Sequence, residues 1–147
     1  MRTERYHSLR YPIWALAMGV AVLWLLVRRP FRVAVEGESM APALEAGDFL
    51  IALRSGPIRR GVLVVVEHPA RPGYEMVKRV QGVPGDSIEG IALGHDQFWV
   101  VGDNAAASTD SRSLGAFARQ SIRGVVRLRY WPPSRLALLS PTARRLD

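Results

Sequence analysis

The chain has 147 residues, 48% of them hydrophobic, and a net charge of +7. That length suits one domain of ordinary size. The absence of cysteine excludes disulfides, thiol chemistry and cysteine metal sites, and arginines scattered along the chain speak against a nucleic-acid-binding face.

The first element is an apolar run. Residues 11–27 (YPIWALAMGVAVLWLLV) contain no charged residue, with Arg2, Arg5 and Arg10 before them and Arg28, Arg29 and Arg32 after. As a helix the run is about 25 Å long, near the lower limit for crossing a bilayer. Trp14 and Trp24 sit near its ends, where interfacial aromatics are favoured. The run reads as a membrane anchor. A cleaved signal peptide fits less well, because the run exceeds the usual ~7–15 apolar residues and Arg28-Arg29-Pro30 follows in place of a small-residue site. A buried soluble helix also fits less well, since such helices usually keep a polar face. The flanking arginines tie the positive-inside comparison, and the free amino terminus tips it towards an inside N-terminus. Their charge suits anionic lipid.

Pro30 ends the helix. From residue 31 the pattern changes to short β-type runs broken by Gly, Pro and Asp. The expected strands are Arg32–Glu36, Asp48–Leu53, Val62–Glu67, Glu75–Val83, Ser87–Ile91, Gln97–Val101 and Ile122–Tyr130. Turns are expected at Ala46–Asp48, Arg59–Gly61, Pro69–Gly73 and Val83–Asp86, the last with Pro84 and Gly85 placed for a type II turn. The fold class is therefore mainly β: a compact antiparallel, barrel-like domain over about residues 31–135, behind one N-terminal transmembrane helix, with residues 1–30 as N-terminal tail and membrane anchor. Residues 136–147 form a weakly patterned tail, frayed helix or disordered.

Three histidines, His7, His68 and His95, are dispersed and read as surface residues. No paired-His spacing appears, so no metal and no cofactor is expected. Two hydrolase signatures fail. Gly37-Glu38-Ser39-Met40-Ala41 lacks the second glycine of G-x-S-x-G, and Pro42 stands where S-x-x-K needs its lysine.

What remains is a serine in a special loop and a lysine in a special strand. Among twenty cationic residues, Lys78 is the only lysine. Arginine does not give up its proton, whereas a buried lysine can. If Lys78 points inward in Glu75–Gln81, Met76 and Val80 share its face and Arg79 points outward. Apolar neighbours lower an ammonium pKa. A neutral amine can take a proton from a serine hydroxyl. Gly37 allows unusual dihedrals two residues before Ser39, and Pro42 stiffens the chain after it. In Val101–Arg112, Ser108 can bond a neighbouring amine, and Asp110 and Arg112 can pair and brace the loop. Taken singly, these segments also read as an ordinary glycine–proline turn, a snorkelling strand lysine and a polar surface loop.

Together they resemble the type I signal peptidase family of membrane-bound serine–lysine endopeptidases. The likeness rests on Gly37-x-Ser39-Met40-x-Pro42 with Gly47-Asp48, on Val77-Lys78-Arg79-Val80 with Gly82-x-Pro84-Gly85-Asp86, and on Gly102-Asp103-Asn104 with Ser108-x-Asp110-Ser111-Arg112. It covers roughly residues 32–131. The resemblance implies that Ser39 is the acylated nucleophile and Lys78 its general base, that Ser108 orients the amine, and that Asp110 and Arg112 form a structural ion pair. Gly37 and Met40 would belong to the substrate-binding and oxyanion end. Precursor proteins with N-terminal leaders would be the substrates, cut after small residues by a domain at the outer face of a cell membrane.

There are departures. Some members carry a hydroxyl residue at the place of Gly37, and Glu38 is a charge where a small residue is common. Only 23 residues separate Lys78 from Gly102, where larger members insert a subdomain. The short core and the ending Val125–Pro133 look like small members thought to mature nickel-type superoxide dismutase. The alternatives are such a dedicated maturation protease, a self-cleaving repressor-type protease, and a non-enzymatic membrane-anchored β-domain.

Overall fold

The computed structural model describes residues 13–141. Helix α1 (Ile13–Arg28) leads into ten strands: β1 (Pro30–Ala34), β2 (Phe49–Leu53), β3 (Leu63–Glu67), β4 (Glu75–Gly82), β5 (Ser87–Ile88), β6 (Ile91–Ala92), β7 (Gln97–Val101), β8 (Phe117–Ala118), β9 (Ile122–Trp131) and β10 (Ala137–Leu138). A short helix α2 (Ser111–Leu114) lies between β7 and β8.

The main sheet is antiparallel, in the order β1-β2-β9-β3-β4-β7-β8, with β10 against β9. It is curled and open, a half-barrel rather than a closed barrel, with β1 and β8 at its ends. The curl follows from register shifts between Ile51 and Ala52, Val65 and Val66, and Val80 and Gly82. Such bulges bend a strand and increase its twist. As a result β1 and β4, with three strands between them in the sheet, wall the same cleft.

Alternation builds a core on each face of the sheet. Val64 and Val66 of β3 join Met76, Val80, Val100 and Val125 in one cluster. Leu63 and Val65 join Met40, Leu44, Leu50, Val77 and Val126 in the other. That is why β3 is apolar at successive positions: both of its faces are buried.

Most expected strands form, with edges displaced by a residue or two. The expected strand Ser87–Ile91 is instead a hairpin of two short strands, because Glu89 and Gly90 take positive φ and reverse the chain. Of the expected tail, residues 142–147 lie outside the described residues, and the described part, 136–141, is more ordered than expected. Ala137 and Leu138 pair with Arg129 and Leu128, and the Leu139 N–H donates to the Arg127 carbonyl at 2.8 Å.

The expected transmembrane helix is seen as 16 residues, and among the described residues no helix is long and apolar enough to cross a membrane. The first residues of its apolar run, Tyr11 and Pro12, lie outside the described residues, as does His7. Helix α1 buries no side chain. Its base is tied to the sheet, where the Arg54 N–H and the Ser55 hydroxyl donate to the Arg28 and Val27 carbonyls.

Candidate active site

The chain leaves β1 and turns sharply before Ser39. Gly37 takes φ +77°, a left-handed conformation that a side chain would oppose. Beyond Ser39 the Ala41 N–H donates to the Glu38 carbonyl (3.1 Å) and the Leu44 N–H to the Met40 carbonyl (2.9 Å). The Met40 side chain is 1% exposed and anchors the turn in the core. The far end of the turn is fastened at Asp48, which is buried, accepts from the Glu45 N–H and pairs with Arg129 and Arg135.

Lys78 comes from the middle of β4 and is 2% exposed. Its Nζ donates to Ser39 Oγ at 3.0 Å and to Ser108 Oγ at 3.2 Å. Met76 and Val80 lie in the core on its face of the strand, as the alternation predicts. Burial pushes the ammonium pKa down; the Asp110 charge opposes this, and the Arg112 charge adds to it.

Ser108 is held in turn. Its hydroxyl donates to Asp110 Oδ2 at 2.5 Å. Asp110 is fully buried, and its carboxylate also accepts from the Gly102 N–H (2.8 Å) and the Arg112 N–H (3.1 Å) and Nε (2.9 Å). Burial alone would raise its pKa, but the Arg112 guanidinium, the two N–H groups and the Ser108 hydroxyl outweigh it and hold the carboxyl well below the usual range. The expected Asp110–Arg112 pair therefore forms, with the carboxylate buried and the guanidinium partly exposed.

Three features have no signal in the local sequence. A Cβ on Gly102 would sit 2.2 Å from Ser108 Oγ and 2.5 Å from the Ser39 carbonyl oxygen, so only glycine lets these segments meet. The Asn104 N–H donates to that same carbonyl at 3.0 Å, which fixes the backbone at Ser39. Arg79, expected to point outward, does face away from Ser39, but it is not solvated. Its guanidinium forks onto Asp103 at 2.8 and 2.6 Å and reaches the Gly61 carbonyl at 2.9 Å. A near-buried bidentate pair is a better use for the fork than water.

Ser39 and Lys78 open onto a cleft of about 560 Å³. One wall is the stretch from Arg32 to Gly37, and the other runs from Tyr74 to Lys78. β1 ends the sheet, and β4 pairs with β7 only from Arg79 onward, so both walls present strand edges without a sheet neighbour. His68 is half-buried and lines this cleft, which corrects its reading as a surface residue; its Nδ1 accepts from the Ala70 N–H. His95 is exposed. Among the described residues no His, Asp and Glu group is placed to hold a metal ion.

The geometry suits proton removal from a hydroxyl. With the Ser108 hydroxyl donating to Asp110, the Ser108 oxygen is free to accept from Lys78. A neutral amine that gives one N–H to Ser108 can aim its lone pair at the Ser39 hydroxyl.

Comparison with known proteins shows the family. The model of the signal peptidase family, peptidase S26, matches residues 8–92 and 89–131. The chain is 34% identical to the mitochondrial ATP-independent inner membrane protease subunit 1a of Arabidopsis thaliana, over 67% of this chain and 69% of that protein. It is 32% identical to the human mitochondrial inner membrane protease subunit 1, over 78% and 79%. It is 31% identical to signal peptidase I of Bacillus caldolyticus, over 84% and 90%. On its sequence, and with a serine and a buried lysine meeting in an open cleft, this chain belongs to the signal peptidase family, S26.

Proposed function

We propose that the protein is a membrane-anchored serine endopeptidase that removes N-terminal leader peptides from precursor proteins, with Ser39 as nucleophile and Lys78 as general base. The observation that carries the reading is the 3.0 Å hydrogen bond between Ser39 Oγ and a lysine that is 2% exposed. Ser39 Oγ attacks the scissile carbonyl as its proton passes to Lys78. The amine leaving group takes that proton, and an ester to Ser39 remains. Lys78 then takes a proton from water, the hydroxide opens the ester, and Ser39 regains its proton. Ser108 and Asp110 hold the amine in line, and Arg112 holds Asp110. The backbone N–H of Ser39, which has no hydrogen-bond partner among the described residues, is a donor for the oxyanion. Gly37 keeps the approach to that donor open.

An extended precursor segment can lie between the two walls and hydrogen-bond their edges, a recognition mode common for exposed strand edges. The names of the relatives favour leader removal over the narrower maturation of nickel-type superoxide dismutase, and over a non-enzymatic binding domain. Residues 1–30 serve as tail and single-pass anchor, and about 31–135 as the catalytic domain at the outer face. The support for anchorage is that α1 has apolar side chains all round and buries none of them in the described chain.

The test is cleavage of a leader-bearing precursor by the membrane-embedded protein and two variants. Ser39→Ala removes the nucleophile and abolishes the cut. Lys78→Arg keeps the charge and loses the base, so the rate falls by about 10²–10⁴. Undiminished cleavage by Lys78→Arg sinks the dyad.

A further inference from the structure

Six of the described carboxylates, those of Glu45, Asp48, Glu67, Asp86, Asp103 and Asp110, are spent in ion pairs with arginine. Glu36, Glu38 and Glu75 have no ion-pair partner among the described residues, and all three line the cleft that holds Ser39 and Lys78. Their positions repeat on the two walls. Glu36 stands three residues before Ser39, and Glu75 three residues before Lys78. Arg32 stands seven residues before Ser39, and Arg71 seven before Lys78, and both also line the cleft. The strand order, with every neighbour antiparallel, makes β1 and β4 run in the same direction. Along the chain, each wall therefore carries its carboxylate nearer to the reacting group than its guanidinium. Glu38 adds a third carboxylate beside the nucleophile itself.

We infer that the cleft selects precursors by charge: a basic residue at the second position upstream of the scissile bond, between the small residues of the cleavage site, is favoured, and an acidic residue there is disfavoured. This rests on the peptidase reading above, which places the precursor between these walls. The three carboxylates are exposed, so each contributes only a few-fold. Acting together on one peptide charge they give a preference of about tenfold, and salt weakens it because nothing shields these groups from solvent.

The experiment compares three peptides that differ only in carrying Arg, Gln or Glu two residues upstream of the cut. Each is given to the full chain in detergent, to Ser39→Ala, and to the triple variant Glu36→Gln, Glu38→Gln, Glu75→Gln. Wild type is expected to cut the Arg peptide about tenfold faster than the Glu peptide, judged by kcat/KM. The gap closes to about twofold in the triple variant and at ~0.5 M salt. Binding of the same labelled peptides to Ser39→Ala follows the same order, independently of turnover. Equal kcat/KM for Arg and Glu peptides in wild type overturns the inference, as does a gap that survives in the triple variant. The Gln peptide separates the two claims. If wild type cuts it and Ser39→Ala does not, the peptidase reading stands whatever the charged peptides show. If wild type cuts none of the three, both readings fall. Glu38→Gln alone narrows the gap part-way, which keeps the inference testable if the triple variant misfolds.

Discussion

Gly102→Ala tests whether the active site depends on the close approach of three segments. The added methyl would sit 2.2 Å from Ser108 Oγ, 2.6 Å from Ser108 Cβ and 2.5 Å from the Ser39 carbonyl oxygen, whereas ordinary contact begins at 3.4 Å. Each neighbour must therefore retreat by about 1 Å. One is the backbone of the proposed nucleophile, and the other is the side chain that accepts from Lys78, so neither can give way without altering the 3.0 and 3.2 Å bonds from Nζ. Overpacking of this kind costs about 1–3 kcal/mol, against a total stability of about 5–15 kcal/mol for a typical domain. The variant folds. A displacement of about 1 Å at reacting groups costs roughly 10²-fold in rate. We expect kcat/KM on a leader peptide to fall about 100-fold, with a melting temperature lowered by about 5–20 °C. The assay is peptide cleavage well below that melting point, with near-ultraviolet circular dichroism confirming the fold. Activity within threefold of wild type would show that Ser39 and Ser108 do not meet over Gly102, and the reasoning would be refuted.

Other substitutions probe the charges. Lys78→Met removes a buried ammonium whose pKa is lowered by burial. In the folded state such a group binds fewer protons than in the unfolded chain, so it costs stability at every pH below its unfolded pKa of about 10.4. The inactive variant should therefore be more stable at neutral pH, by about 1 kcal/mol in urea unfolding, and wild-type stability should rise with pH over the window just below pH 10.4. Asp110 gives the opposite sign. Its depressed folded pKa contributes stability above about pH 4, and that stability is lost as pH falls below the ordinary carboxyl range. Asp110→Asn should lose stability at pH 7 and show a flatter acid limb in melting temperature against pH. Arg79→Met leaves Asp103 almost buried without a partner and should cost about 3 kcal/mol. Adding Asp103→Asn should restore part of it, and a double-mutant cycle with no coupling would contradict the pair.

How much could be read in advance differs between residues. The alternation around Lys78 placed Met76 and Val80 on its face, because a strand has period two regardless of what surrounds it. The same rule turned Arg79 away but was silent on what would receive it, since Asp103 lies 24 residues on and reaches it only through pairing of β4 with β7. Ser87–Ile91 looked like one strand because it is a short run with two isoleucines following the Pro84-Gly85-Asp86 turn; the reversal at Glu89-Gly90 was legible only in the dihedrals. The C-terminal tail looked unpatterned because a strand of two residues carries no period. Its order comes from the free edge of β9, not from its own composition.

The sequence by itself determined the local chemistry: an apolar N-terminal run, short strands, a serine after a glycine turn and a single removable proton among the cations. These depend on residue type and near spacing. Only the tertiary structure decided that the pieces form a site. Bulges curl the sheet until β1 and β4 share a cleft, and the missing side chain of Gly102 lets the Ser108 loop press against Ser39. Buried Asp110 then directs the Ser108 hydroxyl so that its oxygen faces Lys78. Each of these joins residues far apart in the chain, where sequence spacing carries no information about distance.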